Sequence, residues 1–315
     1  MSAVRPTRNA VLDWLLEGDP AIRRQTMRDL LDRPEAEWLA VQSDIQKEGW
    51  GKQLLHALLP DNTWPDGRWT GTVWTLLAVM DIGFPAEHPR IQDAALKFLS
   101  RNLTPERACD ESWLLNRMDL CHLGFWLRIG AYFGFDRERL ARLAQAIFGV
   151  QLADGGWNCR VRTTPKTTHS SFHTTFNILE GLREAAAAGI IDLSAFRVSE
   201  VRALEFMLTH QMYLSDRTGQ VIDDRFLHLT FPSHWHYTVL RGLDYIRQCP
   251  EIADPRLNDP IALIEQRRKP NGRWPVEKRI PGTTLLEMER MGGDSRWNTL
   301  RALRVLAARV RTTLS

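Results

Sequence analysis

The chain has 315 residues, of which 43% are hydrophobic and 25% are charged, and its formal net charge is only +3. These values fit a globular protein with one large core or two modest ones, and they exclude disordered and collagen-like classes. Basic residues are scattered among acidic ones rather than gathered in runs, so the charge pattern does not indicate nucleic-acid binding.

The cysteines and the start of the chain bear on its cellular location. Four cysteines are unevenly spaced, and the chain opens MSAVRPTRNA without an apolar signal segment. No run of about 18 apolar residues is present, which is the length that a membrane-spanning helix needs. These features predict a cytoplasmic protein with reduced thiols and no transmembrane segment.

Five segments in chain order are apolar on nearly every face, as expected of helices surrounded by other elements. They are residues 70–83, 120–135, 172–188, 235–247 and 297–310. Amphipathic segments alternate with them; residues 138–151, for example, place Leu140, Leu143 and Ile147 on one stripe. Strand-like alternation is hard to find, so the sequence predicts an all-α fold.

The apolar helices align as an internal repeat. The residues that fall in their first turns are Thr72, Cys121, His173, His236 and Asn298, separated by 49, 52, 63 and 62 residues. This period suits a repeated helical hairpin with loops.

A turn containing glycine and tryptophan precedes several of these helices. The turns are PDGRW, ending at Trp69, QLADGGW, ending at Trp157, and QRRKPNGRW, ending at Trp274. Glycine permits the positive φ of a tight turn, and tryptophan can lie across the gap between hairpins. The repeat therefore predicts equivalent positions for Trp157 and Trp274.

Two of these turns resemble a known family. Gln151-x3-Gly155-x-Trp157 and Gln266-x5-Gly272-x-Trp274 are similar to the Gln-Trp repeats of squalene and oxidosqualene cyclases, which protein prenyltransferase β subunits share in looser form. Over about residues 60–310, the resemblance implies an α/α toroid of about five to six hairpins around an apolar cavity. We expect residues 1–315 to form a single domain, with helices in 1–60 closing the ring and the repeats in 61–315.

Two stretches point to the prenyltransferase branch of this superfamily. GGWNC, followed by FHTTFNILEGL, resembles a β-subunit segment whose histidine binds zinc, and MDLCHLGFW resembles one whose aspartate and cysteine bind zinc. The resemblance therefore implies a Zn²⁺ site of Asp119, Cys121 and His173. Three protein ligands would leave one position on the metal open for a substrate thiol.

The third zinc ligand remains open between two residues. Asp119 and Cys121 are two positions apart and point to opposite sides of a helix unless Asp119 precedes it. His236 is the alternative, because it occupies the next aligned helix start. His122 and His234 are expected to be positioning or surface groups. The remaining cysteines, which we expect to be structural, are Cys109, Cys159 and Cys249.

The substrate-binding residues follow from the resemblance. Trp74, Trp126 and Phe176 are expected to line a central apolar pocket of several hundred Å³, the usual scale of ligand sites. The basic run that binds diphosphate in the family is absent, since Trp113 and Asn116 occupy its positions. The loop residues that we propose in its place are Arg160, Arg162 and Arg225, with Lys166 and Arg217 as further candidates.

The function predicted first is a zinc-dependent, prenyltransferase-like enzyme that acts on an isoprenoid or a similarly apolar small molecule. A second hypothesis is a class II terpene cyclase, because GQVIDDRF resembles its acidic proton-donor motif, with Asp223 and Asp224 present and Val221 in place of the first aspartate. A third is a non-catalytic toroid that binds a lipid or a protein. Lanthionine-forming cyclases are a fourth, but their motifs are missing from this sequence.

Overall fold

The computed structural model describes residues 8–161 and 167–313, and its regular structure there is nearly all helix, with long loops between some of the helices. The α-helices of this part are α1 (Arg8–Leu16), α2 (Pro20–Asp29), α3 (Glu35–Gln42), α4 (Gly49–His56), α5 (Thr72–Asp81), α6 (Pro89–Asn102), α7 (Pro105–Cys109), α8 (Glu111–Arg117), α9 (Leu120–Phe133), α10 (Arg137–Gly149), α11 (Phe172–Ala187), α12 (Leu193–Thr209), α13 (Val239–Ile246), α14 (Asn258–Glu265) and α15 (Arg296–Thr313). Two short strands, β1 (Trp274–Pro275) and β2 (Asp294–Ser295), pair antiparallel. The prediction of an all-α fold is confirmed.

Short 3₁₀ helices connect some of these elements. They span Cys159–Val161, Asp224–Leu227, Pro250–Ala253 and Pro255–Leu257. In the part of the chain that the structure describes, no helix combines the length and the apolar composition needed to cross a membrane.

The five predicted apolar helices correspond to α5, α9, α11, α13 and α15. The prediction was wrong at the start of α13, which begins at Val239 rather than near Trp235. Thr238 is its N-cap and its hydroxyl accepts a hydrogen bond from the Arg241 N–H, as Ser171 does for the Thr174 N–H in α11. His236 therefore lies in the loop before α13 and is not equivalent to His173.

Helices α9 and α11 approach each other closely because each has a glycine at the contact. A Cβ atom added to Gly124 would lie 2.6 Å from the Asn177 carbonyl oxygen, and one added to Gly181 would lie 2.5 Å from the Gly124 carbonyl oxygen. Real Cβ atoms do not come this close to backbone oxygens. The close approach sets the relative position of the two helix N-termini, where Cys121 and His173 lie.

The five apolar helices meet around one cavity. Side chains from α5, α9, α11, α13 and α15 all contribute to the lining of a space of about 270 Å³. Helix α2 also reaches it: Gln25 donates a hydrogen bond to the Asp81 carbonyl oxygen at the end of α5 and accepts one from Arg304 of α15. Residues near the start of the chain thus connect the first and last of the five helices.

Three tryptophans repeat the same local structure. The indole Nε1 of Trp64, Trp157 and Trp274 donates to the carbonyl oxygen ten residues earlier, at 2.9, 2.9 and 2.7 Å respectively. Two residues before each tryptophan, Asn62, Gly155 and Gly272 have positive φ. Trp157 and Trp274 therefore occupy equivalent positions, as the repeat predicts.

The first tryptophan of the repeat was misidentified from the sequence. It is Trp64, not the Trp69 of PDGRW, because Asn62 supplies the left-handed turn that glycine supplies in the other repeats. Trp69 instead donates its Nε1 hydrogen to the Pro281 carbonyl oxygen and stacks on His234.

Replacing Trp274 by phenylalanine is expected to lower the free energy of unfolding by about 1–3 kcal/mol, because the buried Ile264 carbonyl loses its donor. Urea unfolding of the two proteins measures the difference. The same replacement at Trp113, which is partly exposed and contacts the Arg107 guanidinium, is the control and should cost less than about 0.5 kcal/mol. Equal losses in the free energy of unfolding for the two variants would show that the hydrogen bond from Trp274 to Ile264 does not stabilise the protein.

Candidate functional site

A pair of cysteines lies where α9 and α11 begin. The Sγ atoms of Cys121 and Cys159 are 3.3 Å apart, and both cysteines are free and partly buried. The Thr174 hydroxyl lies 3.3 Å from Cys159 Sγ and donates to it, and the same hydroxyl oxygen is 3.6 Å from Cys121 Sγ. The Cys121 backbone N–H, in the first turn of α9, also points to Cys159 Sγ, at 3.4 Å.

These contacts give the two cysteines opposite acidities. The hydrogen bond from Cys121, helped by those from Thr174 and the Cys121 backbone, lowers the pKa of Cys159 to about 7 although burial opposes the shift. The same sulfur–sulfur contact, together with burial, raises the pKa of Cys121 well above its usual value. As the pH rises, Cys159 is therefore the cysteine of the pair that loses its proton first, and Cys121 keeps its own.

Asp119 precedes α9, as it must if it is to act at the same site as Cys121. It is the N-cap residue of α9 and so precedes the helix, which removes the conflict with Cys121. Its carboxylate acts electrostatically on both Cys159 and His122. Burial lowers the pKa of His122, and the charge of Asp119 partly offsets that effect.

His173 has a different hydrogen-bonding state from the one expected of a zinc ligand. Its Nδ1 accepts the Tyr237 backbone N–H at 2.8 Å, so the hydrogen of the neutral ring is on Nε2. Burial first, and then the charges of His236 and Arg225, lower the pKa of His173 to about 4. A neutral imidazole in this tautomer has no second lone pair to give to a metal. It has one N–H to donate.

His236 lies beside His173 in the loop before α13. The two rings are perpendicular with their centroids 5.8 Å apart, and the His236 ring stacks on Trp235 at 4.0 Å. Burial lowers the pKa of His236 to about 4. Its Nδ1 is buried and finds no hydrogen-bond partner among the described residues. The structure thus brings His173 and His236 together, whereas Cys121 pairs with Cys159.

The expected apolar pocket is not formed by the three residues predicted for it. Trp74 lines a cavity of only about 30 Å³, beside Trp69 and His234. Trp126 and Phe176 are 2% and 1% exposed and pack in the hydrophobic core. In this structure the aromatic rings fill the space between the helices rather than surrounding it, and their contact with a substrate stays a prediction.

A larger, polar cavity lies next to His173. Its volume is about 390 Å³, and its lining includes His173, Arg217, Asp223 and Arg225. Arg217 also approaches His169, with Nη2 3.2 Å from the ring Nε2. Two of the loop arginines proposed for anion binding are therefore close to His173.

The remaining loop arginines do not share that cavity. Arg160 is exposed in the 3₁₀ helix that begins at Cys159. Arg162 and Lys166 lie outside the described residues.

Asp223 and Asp224 do not suit the proton-donor role of a terpene cyclase. Arg225 donates from Nε to both Asp223 carboxylate oxygens, at 2.9 and 3.0 Å, and this ion pair lowers the pKa of Asp223. A proton donor must hold its proton at the working pH, but Asp223 is held ionised. Asp224 is exposed in the following turn. The turn and the ion pair favour a structural role for the two residues, and the cyclase assignment stays a prediction without support from this geometry.

The donor atoms near the cysteine pair are fewer than the zinc that the resemblance implies would need. Cys121 and Cys159 supply two sulfur donors, but zinc is normally held by three or four protein ligands. Within residues 8–161 and 167–313, no group of three or more His, Cys, Asp or Glu side chains is arranged to hold a metal ion. Zinc binding by Asp119, Cys121, His173 and His236 stays a prediction.

Cys159 is the residue that sequence reasoning missed. A signal was available, because Cys159 follows the repeat residue Trp157 by two positions. The backbone N–H of Trp157 donates to the Thr175 hydroxyl at 2.9 Å, which fixes this turn against the first turn of α11. Cys159 is thereby brought beside Thr174, and its own N–H donates to the Thr174 hydroxyl at 3.3 Å.

No protein-family model matches this chain, and a search of curated proteins finds no match for it either. The relation to prenyltransferases and cyclases therefore remains a resemblance of motifs. The geometry of the two cysteines and their neighbours is the feature that bears on function.

Proposed function

We propose that this chain is an enzyme of the α/α-toroid type in which the Cys159 thiolate is the reactive group. The observation that carries the proposal is the surroundings of Cys159 Sγ, which receives the Cys121 N–H and the Thr174 O–H and touches the Cys121 thiol. Donors directed at one sulfur, at the first turns of two helices, stabilise a thiolate. A thiolate is the nucleophilic form of cysteine.

The toroid architecture is part of the proposal. It is supported by the cavity that α5, α9, α11, α13 and α15 line together, as an inner ring of helices would do. It is also supported by the repeated tryptophan contacts and by α2, which bonds to both α5 and α15. The inner helices would then gather their N-termini at one rim, and the cysteine pair would lie on that rim.

The chemistry that we propose is covalent transfer. The Cys159 thiolate attacks an electrophilic carbon of the substrate, a sulfur–carbon bond forms, and the leaving group departs with its electron pair. Cys121, which keeps its proton, can protonate the leaving group. A nucleophilic acceptor then displaces the thiolate from that carbon and gives its proton to Cys121, which completes the transfer and restores both cysteines.

The apolar part of the substrate rests on the resemblance, and its charged part is supported by one neighbouring feature. In the polar cavity, His173 has its hydrogen on Nε2 and Arg217 supplies positive charge, so an oxyanion of the substrate would find donors there.

Zinc is the second candidate at the same place, and one observation favours it. Two thiolates on a tetrahedral zinc, each about 2.3 Å from the metal, lie about 3.8 Å apart, which is close to the 3.3 Å between Cys121 and Cys159. Zinc would hold both sulfurs as thiolates. Metal analysis decides: stoichiometric zinc in the wild-type protein that is lost in both Cys121→Ser and Cys159→Ser would replace the metal-free proposal, whereas zinc-free protein supports it.

Brief exposure to iodoacetamide at pH 7, followed by peptide mass spectrometry, tests the reactive thiol. We expect Cys159 to be alkylated about tenfold faster than the exposed Cys109, because about half of a thiol with a pKa near 7 is ionised at that pH against a few per cent of an ordinary one. Cys249, which is buried and has its pKa raised to about 11 by burial, should remain unmodified. Labelling of Cys109 while Cys159 stays a free thiol would contradict the proposal.

A further inference from the structure

The cavity shared by the five apolar helices is strongly charged. It is lined by seven arginines, Arg28, Arg128, Arg183, Arg241, Arg247, Arg301 and Arg304, and by four carboxylates, Asp81, Glu180, Glu184 and Asp244. The cavity reaches the surface, since Gln248 is exposed and 38% of the Arg28 side chain is exposed. The lining of this cavity contains neither cysteine of the pair, and nothing in the proposed chemistry uses it.

The positive charges of the cavity exceed the negative ones. Two carboxylates outside the lining, Asp29 and Glu200, pair with Arg304 and Arg183, so six carboxylates face seven arginines. Glu200 is further shared with Arg197, which is not in the lining. The excess is one positive charge, and it includes the partly exposed Arg28, so the more deeply buried arginines and carboxylates of the wall are equal in number.

Two N–H donors of the wall have no acceptor. Arg301, 8% exposed, and Trp297, 1% exposed, both line the cavity and are one turn apart on α15. Neither Arg301 Nε nor Trp297 Nε1 has a hydrogen-bond partner among the described residues. The nearest carboxylate to Arg301 Nε is Asp244, 3.4 Å away, and it already accepts from Arg304 at 2.6 Å.

We infer that this cavity is a binding site for a small multivalent oxyanion, with Arg301 and Trp297 as its principal donors. An oxyanion would supply acceptors for both unpartnered N–H groups and would lie among the guanidinium groups of the wall. Guanidinium groups recognise phosphate and carboxylate oxygens alike, so the shared chemistry is that of a phosphate or polycarboxylate group. A space of about 270 Å³ admits an anion of the size of diphosphate or citrate.

Thermal unfolding in the presence of sodium phosphate, diphosphate and citrate tests the inference, with sodium chloride at matched ionic strength as the reference. We expect a saturable rise in Tm of about 3–5 °C, at a hundredfold excess over Kd, for at least one of the three anions. The anion with the lowest Kd assigns the ligand as phosphate-type or carboxylate-type. A wild-type protein that responds to all three no more than to chloride overturns the inference.

Two substitutions locate the site. Arg301→Met and Trp297→Phe each remove one unpartnered donor, and each should weaken the binding of that anion by tenfold or more. Trp157→Phe is the matched control, because its indole N–H bonds to the Ile147 carbonyl and does not line the cavity. It should lower Tm without changing the anion Kd. Unchanged affinity in both Arg301→Met and Trp297→Phe would rule out this cavity as the site.

Discussion

Replacing Gly124 by alanine is expected to destabilise the protein by about 3 kcal/mol, which is large for the addition of one methyl group. The new Cβ atom would lie 2.6 Å from the Asn177 carbonyl oxygen and 3.2 Å from the Ile178 Cα. Both are backbone atoms of α11, so they cannot turn aside as a flexible side chain would. Helices α9 and α11 must therefore move apart, and this movement disrupts the packing along their contact.

Urea unfolding measures this effect, and Gly149→Ala is the matched control. Gly149 ends α10, where the nearest atom to an added Cβ is Glu111 Oε1 at 3.8 Å. Alanine there should be neutral or stabilising by up to about 1 kcal/mol. Similar stabilities for Gly124→Ala and the wild-type protein, at an unchanged slope against urea, would show that α9 and α11 are not in the contact described.

Replacing Arg304 by methionine is expected to cost about 2–3 kcal/mol at neutral pH, because it removes one of the arginine partners from each of two buried carboxylates. The Arg304 side chain is 5% exposed and bonds to Asp29 at 2.9 Å and Asp244 at 2.6 Å. Burial opposes ionisation of both carboxylates, and the arginines around them still hold both pKa values below the usual range. These pairs are therefore a stabilising feature only while the arginines remain.

The pH dependence of that loss identifies its cause. A carboxylate whose pKa is depressed in the folded state stabilises the protein above its unfolded pKa, near 4, and this contribution is lost as pH falls through the folded pKa. The difference between Arg304→Met and the wild-type protein should therefore be largest near pH 7 and shrink below about pH 4. Arg142→Met removes an exposed pair with Glu138 and should change stability by less than about 0.5 kcal/mol. A loss at Arg304 that does not change with pH would point to packing instead.

The sequence predicted the helices well because their apolar composition is local information. The limits of α9 and α11 differ from the predicted ones by two residues or fewer. The start of α13 was missed because the stretch from Trp235 to Tyr237 is as apolar as the helix itself. Only the capping contact of Thr238 with the Arg241 N–H marks the boundary.

The parts of the site that sequence reasoning missed depend on contacts between distant segments. Cys121 and Cys159 are 38 residues apart, and no local pattern links them. The arginine-rich cavity was missed for a similar reason. Single charged residues such as Arg128 and Glu180 stand alone in apolar helices, and their meeting around one space appears only when the helices are assembled.

The pH dependence of Cys159 alkylation tests the central claim most directly. In the wild-type protein, the rate should rise with a midpoint near pH 7, since the contacts with Cys121, Thr174 and the α9 backbone lower the pKa of Cys159 to about 7. Thr174→Val removes one donor and should move the midpoint up by about one pH unit. A wild-type midpoint at or above about 8.5, the value of an ordinary cysteine, with no change in Thr174→Val, would contradict the assignment of Cys159 as the reactive thiolate.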